Sequence, residues 1–154
     1  MDNSTTSQAT LDIVQLMPHR YEVRVAGEFG EADAEQLSAK FQAAMGEATP
    51  KSLQVIMDLT KMRACSVGAR DVLCEFQKSL AGFGARTTYV ANKPRFRGVG
   101  LWIAHNSRDR NVRAVHNKAQ AEKWLNDDKS RLEYVATRLG LARQRRTAQT
   151  ETEP

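Results

Sequence analysis

Two segments near the start of the chain show the alternation of hydrophobic and polar positions that is typical of strands. Residues 21–26 place Glu22 and Arg24 on one face and apolar side chains on the other, and this period of two is typical of a half-buried strand. Residues 11–17 carry a similar apolar pattern. The break at residues 18–20 predicts a β-hairpin, and residues 27–30 are predicted to form the turn that follows it.

The pattern then changes to the three- and four-residue spacing of helices. Residues 31–45 have one apolar helical face and acidic residues in their first turns, where the helix dipole favours negative charge. Residues 53–59 form a nearly continuous apolar run, which is typical of a strand covered on both faces. We expect a loop over residues 60–65 and then a helix over residues 66–83, with Ser66 at its N-cap.

The second half of the chain continues the alternation of strands and helices. Strands are predicted over residues 87–91 and 112–115, and helices over residues 95–106, 117–125 and 129–145. Gly98 and Gly100 have low helix propensity within the helix predicted over residues 95–106, and we interpret both as positions of close helix packing.

Strands that alternate with helices predict an α/β fold, in which a mixed β-sheet carries helices packed on it. A length of 154 residues fits one such domain. The final helix lies beyond this pattern and is treated as an extra C-terminal helix. The predicted boundaries are a disordered tail over residues 1–9, the α/β domain over 10–128, a basic amphipathic helix over 129–146 and a second disordered tail over 147–154.

The net charge of +5 conceals an uneven distribution along the chain. Residues 1–85 carry 8 Lys/Arg and 11 Asp/Glu, a net charge of −3, whereas residues 86–146 carry 15 Lys/Arg and 5 Asp/Glu, a net charge of +10. A basic half can attract nucleic acid, an acidic protein or an anionic membrane surface. Because these basic residues are spread over several elements, a solvated cationic face is the simpler interpretation.

Several classes of function find no support in the sequence. The first ten residues lack the basic start and apolar run of a signal peptide, and no apolar stretch approaches the roughly 18 residues of a membrane helix. Cys65 and Cys74 do not form a disulfide framework, and the three histidines have no metal-ligand spacing with them. We therefore expect a cytoplasmic protein with free thiols that has no cofactor, no metal, no membrane contact and no catalytic residues.

Four short segments of the chain, taken together, have the order and spacing of motifs known from one domain family. They are Gly27-Glu28-Phe29 before a helix, the strand VIMDLT at residues 55–60, the segment CSVG at residues 65–68 before a helix, and the strand–helix–strand–helix pattern up to Leu125. In order and spacing they resemble the G-E-L/F-D turn, the V-hydrophobic-D-L-S strand, the D-S-S-G loop and the C-terminal half of the STAS domain. The resemblance spans residues 21–125. Within this family of anti-sigma-factor antagonists and their relatives, the chain resembles the divergent STAS-like branch more than the typical antagonist.

This resemblance implies a mixed-sheet STAS-like fold and a non-catalytic protein-interaction module in bacterial regulation. In the family, a partner kinase phosphorylates the serine that corresponds to Ser66, and the partner is a kinase, a sigma regulator or another signalling protein. Asp58 corresponds to a residue that organises the following loop. Here Cys65 replaces an acidic residue. The implied partner surface comprises Thr60, Lys61, Arg63, Cys65, Ser66, Val67, Gly68, Arg70 and Asp71.

The sequence leaves alternatives open for the role of Ser66, for the predicted helix over residues 129–145 and for the class of function. Ser66 can serve as an N-cap alone, which contributes about 1 kcal/mol, whereas a phosphate on it would add about −1.5 to −2 charges at a helix N-terminus. The predicted helix over residues 129–145 either packs on its own sheet or pairs with a second copy to form a homodimer. A function of another class is a basic nucleic-acid-binding module that uses Arg95, Arg97, Arg108, Arg110 and Arg113.

Overall fold

The computed structural model describes residues 9–46 and 52–127, in which five strands form one mixed sheet in the order β1-β2-β3-β4-β5. Strand β1 is antiparallel to β2, and the pairs from β2 to β5 are parallel. The strands are β1 (Thr10–Met17), β2 (Arg20–Phe29), β3 (Gln54–Cys65), β4 (Arg86–Val90) and β5 (Val112–Val115). The helices are α1 (Glu31–Met45), α2 (Val67–Gly82), α3 (Pro94–Ser107) and α4 (Lys118–Leu125). The predicted helix over residues 129–145 lies outside the described residues.

Helices α1, α2 and α3 cover one face of the sheet. Each connects two neighbouring parallel strands, and right-handed crossovers in the same direction place all three on the same side. Accordingly, α1 packs beside α2, and α2 packs beside α3. The alternating apolar residues of β2 are buried beneath them, as the sequence pattern predicted, together with every second residue of the apolar run in β3. These residues are Tyr21, Val23, Val25, Val55, Met57 and Leu59.

A buried polar network fixes α2 over β4. The Nε2 atom of Gln77 donates hydrogen bonds to Thr87 Oγ1 and to Asp109 Oδ2, both at 3.1 Å, and the Tyr89 hydroxyl donates to Gln77 Oε1 at 2.9 Å. The buried Gln77 amide therefore keeps hydrogen-bond partners at both its nitrogen and its oxygen. Burial raises the pKa of the Tyr89 hydroxyl, which keeps it protonated as a donor. This network holds α2 in place on the sheet.

Helix α3 approaches β4 closely at Gly100. A Cβ atom on Gly100 would lie 2.8 Å from the Cβ of Tyr89, whereas a Cβ on Gly98 would have nothing within 4 Å. The packing interpretation is therefore confirmed for Gly100 and wrong for Gly98. The close approach at Gly100 brings the first turn of α3 to the carboxyl end of β4.

The predicted elements differ most from the structure at the carboxyl ends of β2 and β3. The sequence predicts a turn over residues 27–30 and a loop over residues 60–65, but β2 continues to Phe29 and β3 to Cys65. Their pairing is irregular, with register shifts on both sides of Gly27, whose φ is 86°. Such bulges interrupt the alternation by which strands are recognised. Because β4 pairs only with the first part of β3, the ends of β2 and β3 form a two-stranded ribbon, called here the β2–β3 ribbon.

Candidate functional site

Ser66 lies where the β2–β3 ribbon meets α2. Its backbone N–H donates to the Phe29 carbonyl at 3.0 Å, and its Oγ accepts from the Ala69 N–H at 3.0 Å. The predicted N-cap is therefore confirmed. The residue is also exposed, so its hydroxyl is open to solvent beside the free N–H groups of a helix start, where an added anion is stabilised.

On its α1 side, the start of α2 meets an acidic residue. A Cβ on Gly68 would lie 2.6 Å from Oε2 of Glu31, so the glycine leaves room for this carboxylate against the first turn of α2. Glu31 is the first residue of α1 and is exposed. A carboxylate near a helix N-terminus is favourable, and it gives this side of Ser66 a negative charge.

On its α3 side, the start of α2 meets aromatic and basic residues. The guanidinium carbon of Arg70 lies 4.2 Å from the centroid of the Trp102 ring, which is a cation–π contact. Arg95 Nη2 donates to the Arg63 carbonyl at 2.8 Å, and this bond ties the first turn of α3 to the β2–β3 ribbon. Ser66 therefore lies between an acidic side and a basic side.

The structure divides the predicted partner surface. Residues 63–71 surround the start of α2, and among them Val67 is 66% exposed. Thr60 and Lys61 instead line a groove of about 440 Å³ together with residues of β1, β2 and α4. We call the part that stays together the α2-start surface: Arg63, Cys65, Ser66, Val67, Gly68, Arg70 and Asp71.

Cys65 is half-buried at the end of β3. Burial raises the pKa of its thiol, and the nearby positive charge of Arg70 offsets this only in part. A thiol with a raised pKa carries less thiolate at neutral pH and is therefore a poor nucleophile.

A cluster of charges occupies the sheet face away from α1, α2 and α3. Lys118 Nζ lies 2.6 Å from Glu22 Oε1 and 3.2 Å from Asp58 Oδ2, and Arg24 Nη2 lies 3.3 Å from Glu22 Oε2. This cluster was not predicted from the sequence. The alternation places Glu22 and Arg24 on the polar face of β2, although the Glu22 side chain is only 4% exposed. Lys118 lies far from Glu22 and Asp58 along the chain, so no local sequence pattern indicates that these three residues pair.

Asp58 organises the irregular part of β3. Its Oδ1 accepts from the Thr60 backbone N–H at 2.9 Å and from Thr60 Oγ1 at 2.6 Å. Burial alone would raise the pKa of Asp58, but the hydrogen bonds from Thr60 and the charge of Lys118 outweigh it and hold the pKa below its usual range. Its carboxylate is therefore ionised and already paired, which suits a structural role.

The five arginines of the nucleic-acid alternative do not form one patch. Arg95 and Arg97 begin α3, and Arg97 donates to the Asn92 carbonyl at 3.1 Å and contacts His116. Arg108 ends the same helix, which at 14 residues is roughly 21 Å long. Arg110 precedes β5 and Arg113 lies within it.

No group of three or more His, Cys, Asp or Glu side chains within residues 9–46 and 52–127 is placed to hold a metal ion. None of the helices in these ranges is long and apolar enough to cross a membrane.

Comparisons with known proteins identify the fold but no family. No protein-family model matches the sequence, and no curated protein is significantly similar to it. The anti-sigma factor antagonist SpoIIAA in its unphosphorylated form has 14% identity and a TM-score of 0.58, and the match covers 77% of this chain and 99% of that one. SpoIIAA, the Bacillus cell fate determinant, in its phosphorylated form has 13% identity and a TM-score of 0.55, with 74% and 98% covered.

A third solved structure is similar to the same extent. RsbS from Moorella thermoacetica, in a serine-to-glutamate variant, has 13% identity and a TM-score of 0.57, with 78% of this chain and 97% of that chain covered. At such identities the likeness concerns the fold, and it agrees with the element order and sheet topology described above. The chain therefore has the α/β mixed-sheet fold of the SpoIIAA-like, STAS-type domains.

Proposed function

We propose that this protein is a non-catalytic protein-interaction module in bacterial regulation, and that phosphorylation of Ser66 switches its α2-start surface. The observation that most directly supports this proposal is that Ser66, at the start of α2, is exposed in a chain with the SpoIIAA-like fold. SpoIIAA has been solved in unphosphorylated and phosphorylated forms. The partner is a regulatory protein such as a kinase or a sigma regulator.

The surroundings of Ser66 support a switch that changes charge and leaves the fold in place. A phosphate adds about −1.5 to −2 charges at neutral pH. It would lie at the positive end of α2, close to the carboxylate of Glu31 on one side and Arg70 on the other. Within the described residues, Ser66 Oγ is bonded to the helix start, where it accepts from the Ala69 N–H. Phosphorylation would therefore change the sign of the exposed surface around Val67 while the sheet beneath stays the same.

The surroundings of several buried or half-buried polar side chains support a function without catalysis. Burial makes Cys65 a weak nucleophile. Asp58 is paired with Thr60 and Lys118, and Gln77, Tyr89 and Asp109 satisfy one another. These groups hold elements together. No specific observation favours the nucleic-acid alternative, because its arginines are spread over both ends of α3 and over β5.

Affinity purification from the native host tests the proposal. The tagged protein is purified after nuclease treatment as wild type, as Ser66→Glu and as Ser79→Glu, a matched control because Ser79 is also exposed on α2 but lies near its other end. We expect a protein partner that survives nuclease, is depleted at least several-fold by Ser66→Glu and is retained by Ser79→Glu. Equal recovery with all three proteins, or loss of every partner on nuclease treatment, would contradict the proposal.

Phosphosite mapping of the same preparations tests the switch. We expect a phosphate on Ser66 in a fraction of the molecules under at least one growth condition, and its absence from the molecules that carry the partner. An unmodified Ser66 under every growth condition would remove the switch, while the variants above would still decide whether the surface binds a partner.

A further inference from the structure

We infer that the α2-start surface selects a protein partner whose contacting segment is acidic and carries an apolar side chain. This inference rests on the proposed function and adds the chemistry of the partner. It depends on three features of the described residues: cations without a salt bridge on the α3 side, an exposed apolar residue at the centre, and carboxylates on the α1 side.

The cations on the α3 side have no carboxylate partner. Within the described ranges, no salt bridge involves Arg70, Lys93 or Arg95, whereas Arg24 and Lys118 on the other sheet face are paired with Glu22 and Asp58. The buried Nε of Arg70 has no hydrogen-bond acceptor among these residues. Lys93, the N-cap of α3, and Arg95, in its first turn, are both exposed. Among the described residues, no carboxylate neutralises these cations, so they are available to the anionic groups of a partner.

Val67 supplies an apolar centre for the contact. It is 66% exposed and lies in the first turn of α2, where the neighbouring residues contact Glu31 on one side and Trp102 on the other. An apolar centre with a polar and charged rim is typical of protein–protein interfaces. A partner side chain packed on Val67 would exclude water from the charged pairs around it, and this would strengthen their attraction.

The acidic side of the surface favours a protein over a nucleic acid. Glu28 at the end of β2 and Glu31 at the start of α1 are both exposed, and Asp71 is exposed on α2. A continuous phosphate backbone that followed the cations would also approach these carboxylates, and like charges repel it. An acidic peptide segment of limited length can contact the α3 side and avoid the α1 side.

Binding of short synthetic peptides to the full-length chain tests this inference. The probes are a peptide of alternating glutamate and leucine residues, a matched peptide of alternating lysine and leucine, and oligouridylate. Fluorescence anisotropy is measured on the wild type, on Lys93→Glu and on Arg110→Glu, whose position is exposed at the opposite end of α3. Lys93 has no ion pair within the described residues, so its replacement changes charge without breaking a salt bridge.

We expect the glutamate–leucine peptide to bind more tightly than the other two probes. Lys93→Glu should weaken it by roughly three- to tenfold, in a salt-dependent manner, and Arg110→Glu by less than about twofold. Equal effects of the two variants, tighter binding of the lysine–leucine peptide, or preferred binding of the RNA would overturn the inference. If the peptide fails this test while Ser66→Glu still removes the native partner, the proposed function stands and only the partner chemistry falls.

Discussion

Cys65 and Ser66 are neighbours in the chain, but the structure gives their side chains different surroundings. The serine is exposed and caps α2, while the thiol is half-buried at the end of β3. The role of Ser66 could be predicted, because an N-cap residue directly precedes the apolar periodicity of its helix. The burial of Cys65 could not, because it depends on how the β2–β3 ribbon pairs.

The raised pKa of Cys65 predicts slow alkylation at neutral pH. Iodoacetamide should label Cys65 more slowly than free cysteine, and the rate should rise with pH through a midpoint above the usual value of about 8.5, because burial disfavours the thiolate. Peptide mass spectrometry measures the rate at each pH. Cys74 is an internal reference, since burial raises its pKa as well. Labelling faster than free cysteine would indicate an activated nucleophile and would contradict a non-catalytic module.

At the scale of the elements, Gly98 and Gly100 show what periodicity can and cannot predict. Both lie in α3, and nothing local in the sequence distinguishes them. Only the tertiary structure shows that Gly100 faces Tyr89 and that Gly98 faces open space. Similarly, the predicted ends of β2 and β3 were wrong because bulges remove the alternation on which the prediction depended.

Alanine at these two positions should have opposite effects on stability. Gly100→Ala should lower the free energy of unfolding by about 1–3 kcal/mol, because its Cβ would overlap the Cβ of Tyr89. Gly98→Ala should raise it by about 0.5–1 kcal/mol, because alanine is the better helix former at an open position. Denaturant unfolding of both variants measures the difference. If both variants changed the free energy of unfolding in the same direction, the close approach of α3 to β4 at Gly100 would be contradicted.

The stabilisation from the ion pair between Lys118 and Asp58 should depend on pH. The pKa of Asp58 is held below its usual range, so its stabilising contribution is present above the unfolded-state pKa of about 3.9 and is lost as the pH falls through the lower folded-state value. Asp58→Asn should therefore flatten the acid side of the stability profile. Chemical denaturation at a series of pH values measures the free energy of unfolding of both proteins. The same loss of stability with falling pH in wild type and Asp58→Asn would contradict the role of Asp58.

Lys118→Met tests the same contact from α4. It leaves the nearly buried carboxylates of Glu22 and Asp58 without this cation, and we expect a loss of about 1–3 kcal/mol at neutral pH. Lys61→Met is the matched control, because Lys61 lines the same groove but forms no salt bridge within the described residues. Equal stability of the two variants would show that the ion pairs of Lys118 with Glu22 and Asp58 do not stabilise the fold.

At the scale of the whole molecule, the order of the strands explains why the charge distribution along the sequence reappears on the surface. The strands follow one another across the sheet in chain order, so position in the sequence corresponds to position across the sheet. Among the described residues, the mostly acidic segment of β1, β2 and α1 therefore lies on the α1 side of Ser66, and the mostly basic segment of β4, α3 and β5 lies on the α3 side. The sequence could predict this asymmetry, but the pairing of Glu22, Asp58 and Lys118 across the sheet required the fold.

Site-specific photo-crosslinking from position 67 tests most directly whether the start of α2 binds a protein. A photoreactive phenylalanine derivative replaces Val67 in the full chain in the native host, and a matched variant replaces Leu101, which is 59% exposed on α3. We expect a crosslinked protein from position 67, its loss when Ser66→Glu is added, and none from position 101. Crosslinks from position 101 alone, or crosslinks from position 67 to nucleic acid instead of protein, would contradict the proposed function.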